Sequence, residues 1–242
     1  MFGSKWGVGR VSRDEGERPF WISYADLMTA LMMLFLVVMA VSLFAVTSRN
    51  DRHEAEVNEC MAEFRARAAG FANVVVDTKN RRVNFGERAR FAHRDYDLSG
   101  ADARTLREFA PVVLDFADSP CGRRLLKRIV VEGYTSQVGS YLFNLDLSLK
   151  RAQSVLCALM DDPFPGERRL SDAQKRRMRD LFMVGGYSFN ASRATDEESR
   201  RVEFKLEFWS VDKDSDDAMS PGSFTFDAPL GQCQLVRHAV TR

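Results

Sequence analysis

Two groups of residues have the types and spacing to do chemistry. The first is a single carboxylate, Asp26, inside the apolar run from Phe20 to Val46; from Pro19 to Ser48 no other residue is charged. A helix of about 20 apolar residues crosses a hydrocarbon core of about 30 Å, so this run is long enough to span. A carboxylate at that depth costs roughly 2.5–3.5 kcal/mol on insertion scales, and such groups face a partner helix or a water path, where they relay protons or ions. Ser23 and Thr29, three residues to either side, share its face and are placed to solvate it, while Ala30 permits close helix approach. Protonated, Asp26 is compatible with an apolar interface; ionised, it needs a cationic or hydrated partner. The second group is Asn144, Leu147, Ser148 and Arg151. At 100° per residue these cluster on one helical face, opposite Leu142, Leu145, Leu149, Ala152, Leu156 and Leu159. An amide, a guanidinium and an exposed leucine together suit a carboxylate-bearing ligand with an apolar stem. The plainer alternative is a helix that uses Asn and Arg as surface and cap.

The remaining sequence must position these groups. After one membrane span, a 242-residue chain leaves room for one soluble domain. Its 35 basic and 34 acidic residues give a net charge of +1, so no basic field points to nucleic acid. The sequence shows no nucleophile–base pair, phosphate loop or metal-ligand spacing, which argues against an enzyme. The span is too long for a secretory signal core and reads as an uncleaved anchor. Lys5, Arg10, Arg13 and Arg18 precede it and Arg49, Arg52, Arg65 and Arg67 follow it, so flanking charge does not orient it. Beyond it, Val57, Met61, Phe64, Ala68 and Phe71 recur at the spacing of a short coiled-coil seam. That stripe predicts either a dimer, in which Cys60 meets its symmetry mate, or packing on the following domain. Residues 73 to 85 read as a hairpin around Asn80. Ser99 or Asp102 caps a helix to about Asp118, and Lys127 to Gly133 is a buried strand. A second helix runs from about Tyr141 to Met160, ended by Asp161, Pro163 and Pro165. A basic helix from Ser171 to Phe182 and strands at 183–187 and 201–211 follow. The order predicts an α+β domain, one sheet against two or three helices.

Asn144-x-x-Leu147-Ser148-x-x-Arg151-Ala152, preceded by Gly133-Tyr134-Thr135-Ser136, resembles the peptidoglycan-binding motif of the OmpA-like family. Phe85-Gly86 and Phe91 resemble that family's first strand and loop, and Gly186-Tyr187 and Arg200-Arg201-Val202-Glu203 its closing segment. The resemblance covers residues 72–211 and implies a βαβαβ periplasmic domain that binds the diaminopimelate stem peptide without catalysis. By position, Arg151 would pair the ligand carboxylate and Asn144 and Leu147 would line the pocket, with Thr135, Ser136, Arg200 and Arg201 beside them. One departure stands out: Ser136 occupies the place of the family's ligand-gripping aspartate, and Tyr134 that of its histidine.

Tyr24-Ala25-Asp26-Leu27-Met28-Thr29-Ala30-Leu31-Met32 resembles the B subunit of MotB-like ion-driven stators. That resemblance implies a proton taken up and released at Asp26, no cofactor, and a B homodimer inside a pentamer of MotA-like subunits. The opening from Phe20 to Leu31 and the compact length are more similar to B subunits of Zorya anti-phage motors, which implies a ZorA-like pentamer. The expected organisation is a cytoplasmic tail (1–18), a transmembrane helix (19–47), a linker or dimerisation helix (48–71), the wall-binding domain (72–211) and a C-terminal tail (212–242). The wall-binding resemblance places 48–242 in the periplasm of a single-pass inner-membrane protein and favours disulfides among Cys60, Cys121, Cys157 and Cys233. Cys121–Cys157 is one pairing, and one through Cys233 is equally open. The rival readings are a flagellar stator subunit and a passive wall tether.

Overall fold

The computed structural model describes residues 18–161 and 169–211, with Gly231 and Cys233. The rest of the expected tails, with Pro163 and Pro165, lies outside these residues. The chain divides into two units, 1–52 and 53–242.

In the first unit the described residues belong to helix α1 (Arg18–Ala68). Trp21 and the large apolar side chains from Tyr24 to Val46 are exposed, including Leu31, Leu34, Phe35 and Phe44. A helix apolar on all sides, with its side chains exposed among the described residues of this unit, has the pattern of a lipid-facing span.

In the second unit, Val57, Met61, Phe64 and Ala68 of α1 are buried in the domain core. Phe64 meets Phe116 at 4.7 Å and Phe109 at 6.2 Å, and Phe71 meets Phe109 edge-on at 5.2 Å. The seam therefore has a partner within the chain, the second of the two readings its spacing allowed. Cys60 is disulfide-bonded to Cys121, with Cα atoms 5.8 Å apart, rather than to a symmetry mate. Cys157 pairs with Cys233, so of the two expectations the pairing through Cys233 holds and Cys121–Cys157 does not.

The sheet has the order β1-β2-β5-β3-β4. Strands β1 (Val75–Asp77) and β2 (Arg82–Asn84) form the predicted antiparallel hairpin. Asp77 closes its turn by accepting from the Asn80 backbone and side chain, at 3.0 and 2.7 Å. Strand β3 (Leu126–Gly133) runs antiparallel to β5 (Val202–Phe208) and parallel to β4 (Phe182–Gly186). Helix α2 (Gly100–Ala117) starts at Ser99, whose hydroxyl accepts from the Asp102 N–H, as expected. Helix α4 (Tyr141–Met160) packs on β3, β4 and α2, and α5 (Asp172–Leu181) opens with a capping box of Ser171 and Gln174. Two short helices, α3 (Pro120–Leu125) and α6 (Asp196–Ser199), escaped the sequence reading. Each had a legible start, Ser119-Pro120 and Thr195 with three acids after it, but too few residues for a period.

The N-terminal half of α4 is the main correction. Asn144, Leu147, Ser148 and Arg151 point inward, while Leu142 is 73% and Leu149 38% exposed; Ala152 and Leu159 of the expected stripe are buried and Leu156 packs against the core. The cause lies in two glycines at the ends of β3 and β4. A Cβ on Gly133 would collide with the Ser148 carbonyl, and one on Gly186 would stand 2.8 Å from Leu149 N and Ser148 Oγ. Glycine lets the small-residue side of α4 lie directly on the sheet, which turns Leu142 and Leu149 outward.

Candidate functional site

In the first unit, Asp26 is exposed among Leu27, Met28 and Leu31, which are also exposed. The Thr29 hydroxyl donates to the Asp26 carbonyl at 2.8 Å, so it satisfies the helix backbone rather than the carboxylate. Ser23 and Ala30 are exposed in the same stretch. Within this unit the chain offers a carboxylate in an apolar surface and leaves its solvation to whatever surrounds it.

The second site forms where β3 and β4 end, around loops 91–97, 134–140 and 187–201. All the predicted wall-binding residues gather there, but as structure. Arg151 is fully buried: its Nε donates to the Asp95 carbonyl (2.8 Å), Nη1 to Tyr134 (3.0 Å) and Nη2 to Ala92 (3.0 Å). Its guanidinium lies 5.2 Å over the Phe91 ring. Burial, aided by Arg200 and opposed by Asp95, pushes it down to about 10, so it stays charged at neutral pH. Asn144 donates to the carbonyls of Val138 and Ser140 at 3.0 and 3.2 Å, pinning the loop before α4. Leu147, Thr135 and Ser136 are buried. The Thr135 N–H donates to the Ser188 carbonyl, the Ser188 N–H donates to Ser148 Oγ, and the Ser188 hydroxyl donates to the Tyr141 carbonyl. Arg200 donates to the Phe91 carbonyl and to Glu197; Arg201 donates to Glu203 at 2.8 Å and covers the Tyr134 ring at 4.3 Å.

Tyr134 links this end to a buried ionic cluster. Its hydroxyl donates to Glu132 at 2.7 Å and accepts from Arg82 at 2.9 Å, while Arg82 also pairs with Glu132 and Glu203. Burial and the Glu132 carboxylate push the Tyr134 hydroxyl well above its ordinary value, keeping it a donor. Burial would raise the Glu203 carboxyl, but Arg201, Arg193 and Arg82 outweigh it and hold it below the usual range.

The solvent-facing part of this end is a different set. His93, Arg94, Val138, Gly139, Ser140 and Phe143 line an open cleft of about 300 Å³. The sequence reading missed these residues, although Phe91-Ala92-His93-Arg94, basic residues following an aromatic directly after a hairpin, was a usable signal.

Residues 9–51 match the family described as membrane MotB of the proton-channel complex MotA/MotB. The whole chain is 40% identical over 244 residues to the Zorya protein ZorB of Escherichia coli O139:H28 (strain E24377A / ETEC), covering 98% of this chain and 99% of that one. Among solved structures, it is similar to the OmpA-like domain of FopA1 from Francisella tularensis subsp. tularensis SCHU S4 (17% identity, 57% of this chain, 82% of that one, TM-score 0.35). It is also similar to the periplasmic domain of Helicobacter pylori MotB (14% identity, 62% of this chain, 89% of that one, TM-score 0.41).

Proposed function

The chain belongs to the family of the Zorya protein ZorB, a stator B-type subunit and not an enzyme, and on that premise we propose that it carries protons at Asp26 in an inner-membrane motor for anti-phage defence. The observation that carries this reading is Asp26 itself, the one charged residue between Pro19 and Ser48, on an apolar helix within the matched segment 9–51. Two copies stand inside a ring of five ZorA-like subunits. Neutralisation of Asp26 lets it enter the apolar contact with the ring, and ionisation drives it out toward a hydrated or cationic group, so each proton passed changes the preferred contact. The N-terminus is cytoplasmic and the domain after residue 52 is periplasmic, where two disulfides support an oxidising compartment. The domain holds peptidoglycan, fixing the dimer so that the ring turns around it; an unheld dimer would turn instead.

The test is Asp26→Asn in cells challenged with phage, with copurification of the ring subunit alongside. Loss of protection with an intact complex is the expected result. Full protection by this variant would remove the carboxylate from the mechanism.

A further inference from the structure

In the second unit, α1 buries Val57, Met61, Phe64 and Ala68 and leaves its opposite side open. Between that open side and the β1–β2 turn runs a groove of about 640 Å³, with Ala62, Ala66 and Ala69 along the helix. Arg65 borders it on the helix and Lys79 on the turn, while Asn58 and Thr78 add uncharged polar groups. Both cations are exposed, and among the described residues neither forms an ion pair.

The acids around them are committed elsewhere. Glu63 pairs with Arg67 at 2.7 Å, Glu54 with Arg81 at 2.6 Å and Glu56 with Arg124 at 3.2 Å. Asp77 gives one carboxylate oxygen to the Asn80 side-chain amide and the other to the Asn80 N–H, which holds its pKa below the ordinary value. At 100° per residue, Glu59 stands about 120° around the helix from Arg65. The groove therefore carries two positive charges that the chain leaves for another molecule. Alanines let a partner backbone come close to the helix but give it little apolar area to grip, so charge has to select the occupant.

A second copy of the chain is disfavoured, because a two-fold contact through this groove brings Arg65 and Lys79 against the same two cations. A carboxylate-bearing segment fits. Its source follows from the order of the chain: the segment matched to the MotA/MotB channel family ends at residue 51, and Asn58 comes seven residues later, a leash of at most about 25 Å when fully extended. That leash keeps the groove within reach of the subunit that meets the matched segment.

We propose that this groove docks an acidic segment of the MotA-like ring subunit, with Arg65 and Lys79 pairing its carboxylates. This rests on the stator reading above. Exposed ion pairs are individually weak, so the contact is left and remade at each equivalent position of a turning ring, where a large apolar interface would lock it.

The full-length chain, copurified with its ring subunit, would be treated with a carbodiimide, which joins a lysine amine to a carboxylate in contact with it. A Lys150–Asp146 link, from a pair 2.8 Å apart, reports that the reaction worked. Lys79 should be joined to an aspartate or glutamate of the ring subunit, and salt at about 1 M during the reaction should suppress that link. Arg65→Glu should lower its yield about fivefold, the scale of one exposed pair, while the chain melts at the wild-type temperature. The groove assignment is overturned, and the stator reading stands, if Lys150–Asp146 forms and Lys79 links to nothing in the ring, to a second copy, or to the acids of residues 212–217 of its own chain. A ring link that Arg65→Glu leaves at full yield overturns it too. If no ring subunit copurifies with the wild-type chain, the stator reading itself is overturned and the assignment falls with it.

Discussion

The membrane helix and the domain treat an ionisable group in apolar surroundings in opposite ways. On α1, Asp26 lies among exposed apolar side chains, and the nearby Thr29 hydroxyl is spent on a backbone carbonyl. In the domain, Arg151, Glu132 and Glu203 are buried, and each has polar partners: carbonyls for Arg151, Arg82 and Tyr134 for Glu132, four side chains for Glu203. A charge whose partners lie in its own chain holds a fold together. One without them depends on another molecule, and there its protonation can do work.

The largest effect that would break this contrast is on Asp26. Asp26→Asn should abolish protection in a phage-plating assay while leaving the melting temperature of the purified chain unchanged. Next comes Arg151→Ala, which orphans three buried carbonyls. It should cost about 3–5 kcal/mol, read by denaturant unfolding of the solubilised chain. An Arg151→Ala chain of wild-type stability that fails to bind sacculi would reverse the contrast and return Arg151 to the ligand. Replacing both Cys60 and Cys121 with serine removes a crosslink between residues 61 apart and should cost about 2–4 kcal/mol. On a non-reducing denaturing gel the wild-type chain should run as a monomer; a covalent dimer lost with Cys60→Ser would restore the seam reading. The smallest effect is the acid limb of stability. Folding lowers the Glu203 pKa, so its contribution is complete above the ordinary value of 4.5 and is lost as pH falls through the lower folded value. Glu203→Gln should flatten that limb in melts taken between neutral and acid pH.

Much of the architecture was legible along the chain. The hairpin around Asn80, the Ser99 cap, the buried β3 strand and the length of α4 all follow from local signals, and the structure has each of them. The candidate site was legible only in membership. Thr135, Ser136, Asn144, Leu147, Arg151, Arg200 and Arg201 do gather at one end of the sheet, but Asn144, Arg151, Arg200 and Arg201 turn their polar groups to carbonyls and carboxylates of the chain, and the buried Thr135 hydroxyl has no partner among the described residues. Leucine periodicity on α4 favoured the opposite face, and it carries no sign that the glycines of the sheet would admit the side with the small and polar residues.

Sequence alone determined that an uninterrupted apolar segment carries one carboxylate, because spanning length and charge count are properties of consecutive residues. It also determined the order of the strands and the longer helices, because caps, turns and periodicity act over a few residues. Tertiary structure decided which face of α4 is buried, where the 57–71 stripe finds its partner, how the cysteines pair and which arginine meets solvent. Each of those depends on groups far apart in the chain, Gly133 and Gly186 against Ser148, Phe64 against Phe116, Arg151 against Ala92, and close packing of such pairs leaves no trace in local spacing.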